Sequence, residues 1–144
     1  MTTEQPRLER RPSLVAAAML LALTATAGSP RLAVAKGDQA RVVLSQKLPN
    51  VPGKTLTAVA VDYAPGGVSK PHHHAGVVFA YVVSGEIRSQ VDEGEARVYK
   101  AGESFFEGPG AHHVVSENAS HSKPAKLLAV FVADDGADLT TFDP

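Results

Sequence analysis

Beyond residue 36 the apolar residues fall into short runs rich in Val, Thr, Ile and aromatics, and no window repeats them at helical spacing. The pattern predicts strands at residues 41–44 (RVVL), 55–63 (TLTAVAVDY), 77–83 (VVFAYVV), 87–91, 97–99, 104–106, 113–116 and 126–132 (KLLAVFV). Turn formers stand between them: Pro49-Asn50, Pro52-Gly53, Pro65-Gly66-Gly67, Ala101-Gly102 and Gly108-Pro109-Gly110. The 77–83 run is apolar throughout, which is the composition of a strand buried on both faces. Asp92-Glu93-Gly94-Glu95 reads as a polar hairpin connection with Gly94 available for the left-handed position. About eight short strands at intervals of about 8 to 12 residues predict an all-β fold, an antiparallel sandwich or small barrel such as a jelly roll. Residues 135–144 are left as a C-terminal tail.

The first 35 residues stand apart from this pattern. Arg7, Arg10 and Arg11 precede a short apolar stretch at 13–23 (SLVAAAMLLAL), and small residues follow at Ala25-Thr26-Ala27 and Ala33-Val34-Ala35. This is the layout of a secretory signal peptide, residues 1–35, whose apolar part is about half the roughly twenty residues that a membrane-spanning helix needs. Arg10-Arg11 followed by Ser13-Leu14 also resembles a twin-arginine signal, so both export routes stay open. Cleavage after Ala35 leaves a β domain at 36–134 and the tail, with ten Lys/Arg against thirteen Asp/Glu, a net charge of −3. The expected location is periplasmic or secreted, without stable membrane insertion after processing. No basic patch points to nucleic acid. The absence of cysteine removes disulfides, thiolate ligands and a cysteine nucleophile, so a metal here is held by nitrogen and oxygen.

That last point gives weight to the histidines. Five of the six lie in two clusters that each follow a Pro/Gly turn, His72-His73-His74 and His112-His113. On a strand the period of two sends His72 and His74 to one face and His73 to the other, with the two like-facing residues about 6 to 7 Å apart. Two imidazoles on one face can share a first-row metal. A third nitrogen from the second cluster, brought back by a returning antiparallel strand, completes a facial set. Only one of His112 and His113 can turn inward, because neighbours on a strand face opposite ways. The competing reading is a solvated histidine run, and His121 in the polar 117–124 loop is read that way. Phe79, Tyr81, Phe105, Phe106 and Phe131 are expected mostly in the core, since a domain of this size has little else to bury. Arg88 and Gln90 are assigned to a solvated face.

The two clusters resemble the paired motifs of the cupin superfamily. The first motif corresponds to Gly66 or Gly67, His72-His73-His74 and Gly85; the second to Gly102, Pro109, Gly110 and His113. The resemblance implies an RmlC-like double-stranded β-helix with His72, His74 and His113 as metal ligands, leaving His73 and His112 without that role. Where the family's first motif carries a glutamate, this chain has Val78 ahead of Tyr81. The set that remains is neutral, as in the thiol and diketone dioxygenases of the superfamily. Glu107, six residues before His113, is the alternative oxygen ligand or base, against an edge-strand carboxylate facing water. The resemblance also implies a divalent metal (iron, manganese, zinc, nickel or copper), a small-molecule ligand in the barrel and a homodimer formed through edge strands. The function expected from it is that of an exported metal-dependent, oxygenase-like enzyme; the alternative is a non-catalytic periplasmic module that binds a metal or small ligand.

Overall fold

The computed structural model describes residues 38–144; the predicted signal peptide, residues 1–35, lies outside them. Every helix or strand among the described residues is a strand: β1 (Asp38–Lys47), β2 (Lys54–Tyr63), β3 (Val68–Ser69), β4 (His72–His74), β5 (Val77–Ser84), β6 (Glu86–Val91), β7 (Arg97–Lys100), β8 (Ser104–Glu107), β9 (His112–Asn118), β10 (Ala125–Asp134) and β11 (Thr140–Phe142). One sheet runs β1-β2-β10-β5-β8, and the other β11-β4-β9-β6-β7 with β3 also paired to β9. All pairings are antiparallel.

The period-two pattern explains the core. On β10, Ala125, Leu127, Ala129, Phe131 and Ala133 are buried while the residues between them are not. They meet Val59 and Tyr63 of β2, Val78, Ala80 and Val82 of β5, and Ile87 of β6 in two apolar clusters. Burial of this apolar surface, at about 25 cal/mol per Å², is the main term holding the sheets together.

Three expectations change. The 77–83 run is not buried on both faces: β5 alternates, with Val78, Ala80 and Val82 inside while Phe79, Tyr81 and Val83 stay 46%, 38% and 47% exposed. Phe106, opposite Phe79 on β8, is 63% exposed, so these aromatics form an outer patch and not core. The apolar composition of β5 was compatible with either arrangement, and the pleat decided. In the 92–95 connection the left-handed residue is Asp92, with φ of 49°, and not Gly94; aspartate tolerates that region because its short side chain bonds locally. Residues 135–144, read as a tail, carry β11, which pairs along β4 with Thr140 opposite His74 and Phe142 opposite His72.

One glycine is indispensable to the site's position. Gly76 turns the chain from β4 into β5 at φ 104°, and a Cβ there would collide with the Val132 carbonyl oxygen and lie 2.9 Å from Ala133 Cα. Only glycine lets β5 lie this close to β10 while β4 crosses to the other sheet.

Candidate metal centre

β4 and β9 pair with His72 opposite His113 and His73 opposite His112. The pleat then sorts the five rings. His72, His74 and His113 point inward and are 5%, 8% and 2% exposed, and His73 and His112 lie on the outer face. The choice between His112 and His113 falls to His113 as the inward residue.

Each inward ring is held by its far nitrogen. His72 Nδ1–H donates to the Lys70 carbonyl at 2.6 Å, and His74 Nδ1–H donates to the Leu139 carbonyl at 2.9 Å with Thr140 Oγ1 at 3.2 Å. A carbonyl only accepts, so both Nδ1 atoms carry the proton and both Nε2 atoms of the neutral rings are bare. Those two bare nitrogens face each other at 3.1 Å. Lone pairs that close repel unless a cation lies between them. Two nitrogens bound at right angles to one ion, each at about 2.1 Å, lie about 3.0 Å apart. His113 Nε2 lies 2.8 Å from Ser89 Oγ, and its Nδ1, fully buried, has no hydrogen-bond partner. Backbone and hydroxyl partners behind metal-binding histidines orient them in the same way.

Glu107 completes the cluster. It is 2% exposed, with Oε1 3.3 Å from His113 Nδ1 and Oε2 3.7 Å from His74 Nε2, and Oε2 has no hydrogen-bond partner. The water-facing carboxylate is thereby excluded. β8 is the edge strand of its sheet, as expected, yet its parity turns Glu107 inward directly opposite Val78 of β5. Glu107 thus faces the position where the superfamily motif places glutamate.

Burial governs the charges. It lowers the His74 pKa to about 4 and that of His113 to about 3, helped by the neighbouring imidazoles, and it lowers that of His72 as well. Burial, with Asp92 adding to it, pushes the Glu107 carboxyl up to about 7. The Glu107–histidine contacts are within ion-pair distance, but with the rings neutral they are not ion pairs. Neutral imidazoles are the form a metal requires.

A cavity of about 60 Å³ opens beside these groups. Its walls include Val59, Val78, Ala129 and Phe131, and across it Tyr63 OH and Ser116 Oγ are 2.8 Å apart. Sequence reasoning did not find Ser89, Thr140, or the Tyr63–Ser116 pair; they are ordinary strand residues whose role comes only from register.

The model of the cupin-domain family matches residues 59–131, a span that contains both histidine clusters and Glu107. The chain belongs to the cupin family. Among curated proteins, this cupin is similar to germin-like protein subfamily 2 member 2 of Arabidopsis thaliana, 28% identical over 113 residues, covering 73% of this chain and 51% of that one. The cupin therefore spans about half the length of that relative. Among solved structures it resembles a conserved double-stranded β-helix protein from Klebsiella pneumoniae, with a TM-score of 0.59, 23% identity, and coverage of 80% and 90% of the two chains. It also resembles oxalate oxidase in complex with glycolate, with a TM-score of 0.56, 23% identity, and coverage of 74% and 55%. The structural likenesses show a shared fold.

Proposed function

We propose that this cupin is an exported metal-dependent enzyme, oxygenase-like, that acts on a small chelating molecule at the His72–His74–His113 centre. The observation that supports it is the pair of bare, buried Nε2 atoms 3.1 Å apart, with His113 Nδ1 and Glu107 Oε2 both unpartnered beside them. Three nitrogens and one carboxylate oxygen suit iron, manganese, zinc, nickel or copper. Glu107, which faces the motif-glutamate position, is the candidate fourth donor beside the three histidines, whose ligand atoms lie within 4.8 Å of one another. When bound, the ion supplies Lewis acidity and a template for a bidentate ligand.

The chain's own groups define the rest. The apolar walls keep bulk water away from the donors, and the Tyr63 and Ser116 hydroxyls, bonded to each other, add polar groups to the cavity lining. Where Glu107 does not bind the ion, its carboxyl, pushed up to about 7 by burial, can hold a proton at Oε2 or release it. The cavity of about 60 Å³ has room for several water molecules, each needing about 10 to 15 Å³ on this measure. A small acid or hydroxy acid suits a cavity of this size beside a metal, in a fold shared with oxalate oxidase, whose structure holds glycolate. The same small volume favours, as a second reading, a non-catalytic module that only captures the ion or a small ligand.

The deciding experiment is elemental analysis of untagged protein combined with aerobic turnover of small carboxylic and hydroxy acids after loading with each ion. We expect one inner ion per chain, lost in His72→Ala, His74→Ala and His113→Ala, and product formation with one of the ions. A metal stoichiometry equal to the parent's in all three variants overturns the centre. Binding without any product supports the capture module.

A further inference from the structure

The strands that turn three histidines inward present a second cluster on their outer face. His73 and His112 are direct cross-strand partners, with rings stacked at 4.5 Å and 16° between planes. Asp143, one residue beyond β11, reaches both, with Oδ2 2.8 Å from His112 Nε2 and Oδ1 3.4 Å from His73 Nε2. One ligand atom from each of the three lies within 4.8 Å of the others. Asp143 is itself placed by the backbone, its N–H donating to the Pro71 carbonyl at 3.0 Å.

The hydrogen bonds leave one ring nitrogen open toward the carboxylate. His73 Nδ1–H donates to the Gly110 carbonyl at 3.2 Å, so in the neutral ring Nε2 is bare. That nitrogen faces Asp143 Oδ1 at 3.4 Å, while His112 Nε2–H donates to Asp143 Oδ2 at 2.8 Å, so a cation would displace the His112 proton and sit between the two rings and the carboxylate. The groups are only partly buried, with side chains 46% exposed for His73 and 34% for both His112 and Asp143, so an ion enters directly from solvent.

We propose that His73, His112 and Asp143 form a second divalent-cation site on the outside of the barrel, and that the ion clips β11 against β4 and β9. Two imidazoles and one carboxylate select zinc, copper or nickel over calcium or magnesium, which prefer all-oxygen sets. The clip has something to secure. β11 has three residues and among the described residues pairs only with β4, yet the segment it belongs to orients the inner centre: Leu139 O and Thr140 Oγ1 hold His74, and Phe142 lies edge-on to His72 at 5.6 Å. An ion outside the wall therefore steadies rings inside it. The site does not depend on whether the inner centre is filled.

The test is a copper(II) titration of the untagged full chain, followed by calorimetry and electron paramagnetic resonance, against the double variant His73→Ala/His112→Ala and the single variant Asp143→Asn. The double variant binds one equivalent fewer than the parent whether the parent binds two ions or one, which separates this site from the inner one. Asp143→Asn weakens the outer equivalent by about tenfold or more. Equal stoichiometry in parent and double variant, or a proton-only cluster that titrates without taking up copper, overturns the site. For the clip, zinc at about ten times its dissociation constant for the outer site slows amide exchange at residues 141–143 by about tenfold more in the parent than in the double variant, in which only the inner centre fills. Unaltered exchange at a filled outer site overturns the clip.

Discussion

Glu107 is buried among three imidazoles that burial itself keeps neutral, so in the metal-free protein no cation compensates its charge. Its carboxyl ionises near 7 when folded, against 4.5 ordinarily, so the stability linked to it is complete below about pH 4.5 and is lost as the pH rises through 7. His74 and His113 have the opposite sign. Their folded values, about 4 and about 3, lie under the ordinary 6.5, so their contribution is complete above 6.5 and is lost as the pH falls toward 4 and 3. Glu107→Gln removes only the alkaline loss. Chelator-treated E107Q should be more stable than the parent above about pH 7, by up to about 3 kcal/mol in urea unfolding, and equal to it near pH 4.5. Equal stability at both pH values would show that Glu107 is not desolvated. The two-residue spacing of His72 and His74 was legible in the sequence because strand parity is a local property. The inward turn of Glu107 was not, since SFFE fits either parity and its register against β5 is set from elsewhere in the fold.

At the scale of strands, the register of β5 against β8 puts Val78 and Glu107 face to face. Cross-strand partners have Cβ atoms about 4.5 to 5.5 Å apart, within reach of a glutamate side chain. The double variant Val78→Glu/Glu107→Val, which moves the carboxylate back to the β5 position, should therefore keep metal within about tenfold of the parent affinity. Glu107→Val alone should lose more than that. Isothermal titration of the three proteins checks this, and equal losses in the single and double variants would argue against an interchangeable position. Strands were predicted where composition and turns agreed, as for β2, β5 and β10. β11 was overlooked because Thr140–Phe142 is too short to show a period, and its partner His72–His74 lies far back in the chain. The alternation of β5 was hidden for a different reason: its outer face is as apolar as its inner one.

Taken as a whole molecule, the described residues leave an apolar patch of Phe79, Tyr81 and Phe106 on the outer face of the β1-β2-β10-β5-β8 sheet, beside its β8 edge. A homodimer formed at this edge and face would cover these exposed aromatics. Phe106→Asp should shift the protein to monomer in sedimentation velocity without unfolding it, because that ring is 63% exposed in the single chain. A parent that sediments as a monomer would refute the dimer. No helix among the described residues is long and apolar enough to cross a membrane. The two-sided sorting of His72, His73 and His74 was visible from spacing, whereas the distance between their faces and the Asp143 carboxylate depends on the closing strand. The chain has no tryptophan and three tyrosines, and only Tyr63 stands in the wall of the cavity. Its ultraviolet emission is thus not swamped by indole, and a paramagnetic ion seated a few side chains away would dim it, giving the barrel an optical gauge of its own occupancy without any attached dye.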